Sequence, residues 1–292
     1  MLPTDRSRLG AMAGIASTGV ALTLVLLKLW ALAVTGSLSV ASSLTDNALD
    51  LLMSLGALAA ILYAARPPDE DHAFGHSSAE DLAALGQAAF ILVAAALISI
   101  AAISRLLSGD PPDITQEGVG MAIIAVSVVL TLALVLFQRY VVAKTGNRVV
   151  AADSLHYLSD LVPNLGAIVA LFAASRYGMN HLDSGIALAT AAMLVVSALH
   201  IGKGAWDALM DRAADPKLVA EVEKIVDGWP GVQGHHDLRS RSAGSQVFIN
   251  MHIEVDGSLT LFEAHEIGAA LKREICTRFP EVDLIIHKDP AH

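Results

Sequence analysis

Six apolar stretches, at about 11 to 34, 39 to 64, 81 to 105, 118 to 139, 149 to 175 and 183 to 208, fill most of the first 210 residues. Each is long enough to cross the roughly 30 Å of hydrocarbon in a bilayer. No water reaches the backbone there, so a lone segment of that length must satisfy its N–H and C=O groups internally, as a helix does. Residues 1–210 are therefore expected to form an all-α bundle of six transmembrane helices. A chain that is 54% hydrophobic and only 16% charged fits a lipid-embedded protein better than a soluble one. The first stretch is long enough to span and no cleavage signature follows it, so it reads as a retained helix and not as a signal peptide.

From about residue 211 charges return at the density of a soluble domain. Asp215-Pro216 opens an amphipathic helix that runs to about 228, where Trp229-Pro230-Gly231 ends it. Alternating segments at His236–Arg241 and Gln246–Val255 flank Ser242-Ala243-Gly244-Ser245 as a hairpin. A second helix is expected from Leu261 to Phe279 and a short last strand from Val282 to His287. The order α-β-β-α-β predicts a two-layer α+β domain over residues 211–292, ferredoxin-like or metallochaperone-like.

Basic residues set the orientation. Arg6, Arg8, Arg66, Arg139, Lys144, Arg148, Lys203 and Arg212 fall on one side of the six stretches, and Arg105 and Arg176 on the other, which places both termini in the cytoplasm. The net charge of −10, with no basic stripe, argues against nucleic acid as a partner. Cys276, the single cysteine, excludes internal disulfides and thiolate cages.

Two motifs interrupt the apolar stretches, Asp46-x-x-x-Asp50 in the second and His156-x-x-x-Asp160 in the fifth. The i, i+4 spacing puts each pair on one helix face. A central Asp costs about 2.5 to 3.5 kcal/mol in lipid, so three uncompensated carboxylates cost about 8 to 10 kcal/mol. A divalent metal compensates them, and four oxygen and nitrogen donors complete a tetrahedral Zn2+ shell. Counted from the cytoplasmic ends, Asp50 and Asp160 both lie about 20 Å deep, where the two motifs can meet. The plainer alternative is polar glue between helices, which suits Gln87 and Asn164. Three carboxylates without a cation would instead repel one another. Asp153, a turn before His156, reads as an entrance or helix-end residue, and Lys28 as either a counter-ion or a snorkelling side chain.

Asp69, His72 and His76 form a second cluster in the loop after the second stretch, with Glu70 and Asp71 as further candidates. The alternative there is a solvated acidic turn. A third cluster comprises His236, His252, His265, His287 and Asp289, weighed against scattered surface histidines. His265-Glu266 begins like a zincin motif, but Ala269 occupies the place of the second ligand histidine, so a metalloprotease reading fails. No general base or nucleophile accompanies the ligands, which speaks against an enzyme. His181, His200, His235 and His292 receive no role.

Together, D-x-x-x-D on the second stretch, H-x-x-x-D on the fifth, D-x-x-H-x-F-G-H in the loop and the closing I-I-H-K-D-P resemble the cation diffusion facilitators, in particular the bacterial YiiP-type zinc and iron exporters. The resemblance implies that Asp46, Asp50, His156 and Asp160 form a transport site and Asp69, His72 and His76 a loop site. It implies a two-metal cytoplasmic cluster of His236, His252, His265, His287 and Asp289, with Asp289 bridging. It further implies a homodimer in the inner membrane that exchanges metal for protons. Ser77-Ser78 stands where such exporters carry a lysine that pairs across the dimer, and Lys288 where a glutamine is common. Strand alternation directs Lys288 away from its two neighbours. The expected function is proton-coupled export of a divalent cation, Zn2+ foremost with Cd2+ and Fe2+ as further ions. The rival is a membrane-bound metal sensor or scaffold.

Overall fold

A computed structural model of the chain describes residues 3–35, 38–108, 118–177 and 182–291. The side chains of Arg6, Arg105, Asn164 and Arg176, and residues His181 and His292, lie outside the described set. Six long helices come first: α1 (Pro3–Thr35), α2 (Leu38–Ala64), α3 (Ser78–Ser108), α4 (Gly118–Thr145), α5 (Arg148–Tyr177) and α6 (Leu182–Leu209). Among the described residues, five of them, all but α5, carry a segment long and apolar enough to cross a membrane. The first half of α5 holds Asp153, His156 and Asp160, which lowers its hydropathy.

Apolar attraction between helices vanishes in lipid, so close packing through small residues has to hold such a bundle together. α1 packs along α2 and α3 along α6. On α3, Ala84, Ala88 and Ala95 are buried, as are Ala198 and Ala205 on α6, and a Cβ added to Gly202 would come 3.3 Å from that of Ala88. Leu82, Val93, Leu97 and Ile100 on the outer side of α3 are exposed, the position a lipid-facing residue takes.

The remaining elements are α7 (Pro216–Asp227), β1 (Gly234–Ala243), β2 (Gln246–Val255), α8 (Leu261–Arg278) and β3 (Val282–Pro290), in the order read from the sequence. The last strand runs three residues beyond the expected His287. Asp215 caps α7 by accepting from Lys217 N at 2.9 Å, with Pro216 at the first helical position, where its missing N–H costs nothing. Thr260 and Glu263 form a capping box at α8. The strands lie in the order β1-β2-β3, with β1 antiparallel and β3 parallel to β2. Alternate residues Ile249, Met251, Ile253 and Val255 of β2 join Val222 and Val226 of α7, Leu271 and Ile275 of α8, and Val282 and Leu284 of β3 in one buried core. The other face of the sheet, which carries His252, is not packed under these helices. Lys288 lies on the helix side, where a Cβ on Gly268 would stand 2.4 Å from its Cε.

Candidate metal centres

Among the described residues three groups of donors assemble, one at each cluster seen in the sequence. The deepest lies where α2 meets α5. His156 Nε2 stands 3.1 Å from Asp50 Oδ1, and Asp160 offers a third donor, all three ligand atoms lying within 4.8 Å of one another. Asp50 is fourteen residues from the end of α2 and Asp160 twelve from the start of α5, depths of about 21 and 18 Å from one side of the bundle. Asp46, one turn further along α2, is exposed and outside this group.

A polar scaffold holds the group in place. The Ser17 hydroxyl donates to Ser54 Oγ at 2.9 Å, Ser54 Oγ lies 2.7 Å from Tyr157 Oη, and Tyr157 donates back to the Ser17 carbonyl at 3.4 Å. This ring of hydrogen bonds ties α1, α2 and α5 together beside His156, whose ring also meets Phe90 edge-on at 5.8 Å. Gln138 of α4 donates to Asp153 Oδ2 at 2.6 Å. Asp153 is only 2% exposed, so it is a buried packing partner of α4 and not the entrance or helix-end residue its depth suggested. Lys28 donates to Asn47 Oδ1 at 2.8 Å, within electrostatic reach of Asp50, Asp46 and Asp160. Tyr157, Ser17, Ser54 and Gln138 were not singled out in the sequence; a lone polar side chain in an apolar stretch was their only signal.

In the loop, Asp69 Oδ1 accepts from His72 N at 2.7 Å and Asp71 N at 3.1 Å, which folds the segment into a tight turn. The backbone hydrogen bond from His72 holds the Asp69 carboxyl below the usual carboxylate range. His72 Nδ1 and His76 Nε2 each lie 3.3 Å from that carboxylate. His76 is buried against the Tyr63 ring, and its Nδ1 is buried without a hydrogen-bond partner. Glu70 and Asp71 are exposed and outside the group.

On the open face of the sheet, register builds the third group. His236 pairs with His252 across β1 and β2, and His252 with His287 across β2 and β3, so three imidazoles stand in one row. Ring centroids are 5.0 and 4.7 Å apart. Asp289 Oδ2 lies 2.8 Å from His252 Nδ1 and 3.3 Å from His236 Nε2, while its Oδ1 lies 3.2 Å from His287 Nε2. The hydrogen bond from His252 keeps the Asp289 carboxyl low in pKa, and an ionised carboxylate between imidazoles is a donor set that suits Zn2+. His265 stands exposed on α8, in the layer behind the sheet, apart from this row. His235, which the sequence reading left without a role, pairs with Asp227 at 2.9 Å.

Residues 14–210 match the cation efflux transmembrane domain, and residues 214–291 match the cytoplasmic domain of cation efflux proteins. The chain is 41% identical over 284 residues to the cation-efflux pump FieF of Klebsiella pneumoniae, covering 97% of this chain and 94% of that protein. The FieF pump of Escherichia coli is similar at 41% identity and that of Salmonella arizonae at 40%, with the same coverage of each chain.

Proposed function

Because the chain belongs to the cation efflux family, and is thus a membrane transporter of divalent metal cations and not an enzyme, we propose that it exports Zn2+ in exchange for protons, with Cd2+ and Fe2+ as further substrates. The observation that carries this reading is the convergence of Asp50, His156 and Asp160 deep in the bundle. Two carboxylates and an imidazole form a mixed oxygen and nitrogen set, which suits Zn2+ better than the harder cations served by oxygen alone. Asp46 supplies the fourth ligand when the bundle rocks, since it lies one turn from Asp50 on the same helix.

Proton exchange follows from ligand chemistry. A metal needs the neutral imidazole and the ionised carboxylates, so each arriving cation displaces protons, and protons from the far side release it. His156 is the natural exchanging group, because imidazole changes charge near neutral pH. Residues 1–210 would carry transport in the inner membrane, and residues 211–292 would bind metal and dimerise in the cytoplasm, with both termini on that side. In this reading His236, His252, His287 and Asp289 hold a regulatory metal, and Asp69, His72 and His76 hold another in the loop. No ligand role is assigned to His265 within one chain.

Flux into proteoliposomes, with Cd2+, Fe2+ and Mn2+ as competitors, tests the reading. Zn2+ uptake blocked by Cd2+ supports it. Zn2+ binding without flux would favour a sensor or scaffold instead.

A further inference from the structure

The start of α3 is a meeting point that the metal chemistry does not use. Asp81, 0% exposed, donates nothing and accepts twice: Oδ1 takes a hydrogen bond from Arg148 Nη1, and Oδ2 takes one from the backbone N–H of Gly244 at 2.6 Å. Arg148 is the first residue of α5, and Gly244 is the tip of the β1–β2 hairpin, so one buried carboxylate on α3 joins two elements that lie 67 and 163 residues away in sequence. Its neighbour Glu80 repeats the link. Glu80 Oε1 accepts from Asn147 Nδ2 at 2.9 Å, and Asn147 Oδ1 in turn caps α5 by accepting from Val150 N at 3.0 Å.

The hairpin tip is fitted closely to this point. Gly244 has φ +54, and a Cβ there would come 2.3 Å from the Ser77 carbonyl oxygen and 3.0 Å from Glu80 Oε2, so only glycine seats the tip. A second contact flanks it: Phe74 of the loop meets Phe248 of β2 edge-on at 5.6 Å, and the Arg241 guanidinium lies over both rings. His156 and Asp160 lie eight and twelve residues along α5 from Arg148, about 12 and 18 Å up the same rigid helix.

We propose that Asp81 is a positioning residue for transport: its carboxylate latches the cytoplasmic hairpin to the start of α5, so that the cytoplasmic domain and the helix bearing His156 and Asp160 move together. The latch lies within one chain and needs no charge pair across a dimer. It acts on movement of α5 and not on the metal, so breaking it slows turnover and leaves metal affinity alone. This inference rests on the transport reading above.

The test uses the full chain in proteoliposomes and follows two quantities, Zn2+ flux and amide hydrogen exchange of residues 242–247. In Asp81→Asn, one face of the amide must present N–H to a donor. Exchange at the tip should rise roughly tenfold, the loss of one charge-assisted hydrogen bond, and Vmax should fall severalfold with KM within twofold of wild type. The exchanged pair Asp81→Arg with Arg148→Asp restores the ion pair but turns a guanidinium toward the Gly244 N–H. It should stay slow and fast-exchanging at the tip; full recovery of Vmax would overturn the latch in favour of a local ion pair. Gly244→Ala guards against misfolding of the buried variants, because it pushes the tip off while leaving Asp81 and Arg148 intact. It too should lose Vmax and not KM, and an unchanged Vmax overturns the proposal. If the wild-type chain moves no Zn2+, the transport reading fails, while the exchange of residues 242–247 still decides whether Asp81 holds the hairpin.

Discussion

Replacing Asp289 by alanine should abolish the stabilisation of the cytoplasmic domain by zinc. That carboxylate is the one group common to the whole cluster, with its two oxygens 2.8, 3.3 and 3.2 Å from His252, His236 and His287. Without it no carboxylate joins the three imidazoles: Glu254 Oε1 at 3.9 Å and Asp237 Oδ2 at 3.7 Å stand beside His236, at one end of the row. At a free zinc concentration 100 times Kd, binding to the folded state alone adds about 2.7 kcal/mol. A domain of this size gains about 4 to 8 °C per kcal/mol, so wild type should melt roughly 10 to 20 °C higher with zinc than with chelator. The variant should show almost no shift, yet melt near wild type without metal, because Asp289 stands on the open face and the core of Ile249, Met251, Ile253, Leu271 and Ile275 does not touch it. That core belongs to residues 211–292 alone, so thermal unfolding of the isolated domain is the assay. A full zinc shift in the variant, or none in wild type, would refute the reasoning.

The same zinc shift should fade on acidification, because protons compete with the metal for its donors. The hydrogen bond from His252 holds the Asp289 carboxyl below the usual carboxylate range, so this donor stays ionised to lower pH than an ordinary aspartate, and a zinc shift that did not weaken at any pH down to acid unfolding of the domain would contradict the donor set. His156→Asp should move selectivity from Zn2+ toward Mn2+, since an all-oxygen set favours the harder ion; an unchanged flux ratio in competition assays would count against His156 as a ligand. Tyr157→Phe removes the hydroxyl bonded to Ser54 and should cost about 0.5 to 1.5 kcal/mol of stability while sparing KM for zinc. A raised KM with unaltered melting would mean that the hydroxyl serves the ion directly.

Long apolar runs and period-two alternation made the architecture legible, because bilayer thickness and strand pleat translate directly into sequence patterns. The α-β-β-α-β order and the six long helices follow from those patterns. Pairing across elements does not. The row of His236, His252 and His287 depends on β3 lying parallel to β2, which no local signal encodes. His265 was grouped with them because it is one more histidine in a short domain, a count that does not see which layer a side chain occupies, and the structure places it on α8, outside the row. Asp153 was placed by counting residues from a helix end, a measure blind to Gln138 on α4, which buries it. Asp81 looks in sequence like an ordinary acidic residue in the first turn of a helix. Its partners Arg148 and Gly244 reach it only through the tertiary fold.

The most direct measurement of the central claim is zinc flux in proteoliposomes holding a trapped pH-sensitive dye, run on wild type and Asp50→Ala side by side. Asp50 lies 3.1 Å from His156 and shares one donor group with Asp160, so its loss should stop zinc uptake and proton release together, with expression and dimerisation intact. Wild-type flux from Asp50→Ala, or zinc uptake in wild type with no proton movement, would contradict the account.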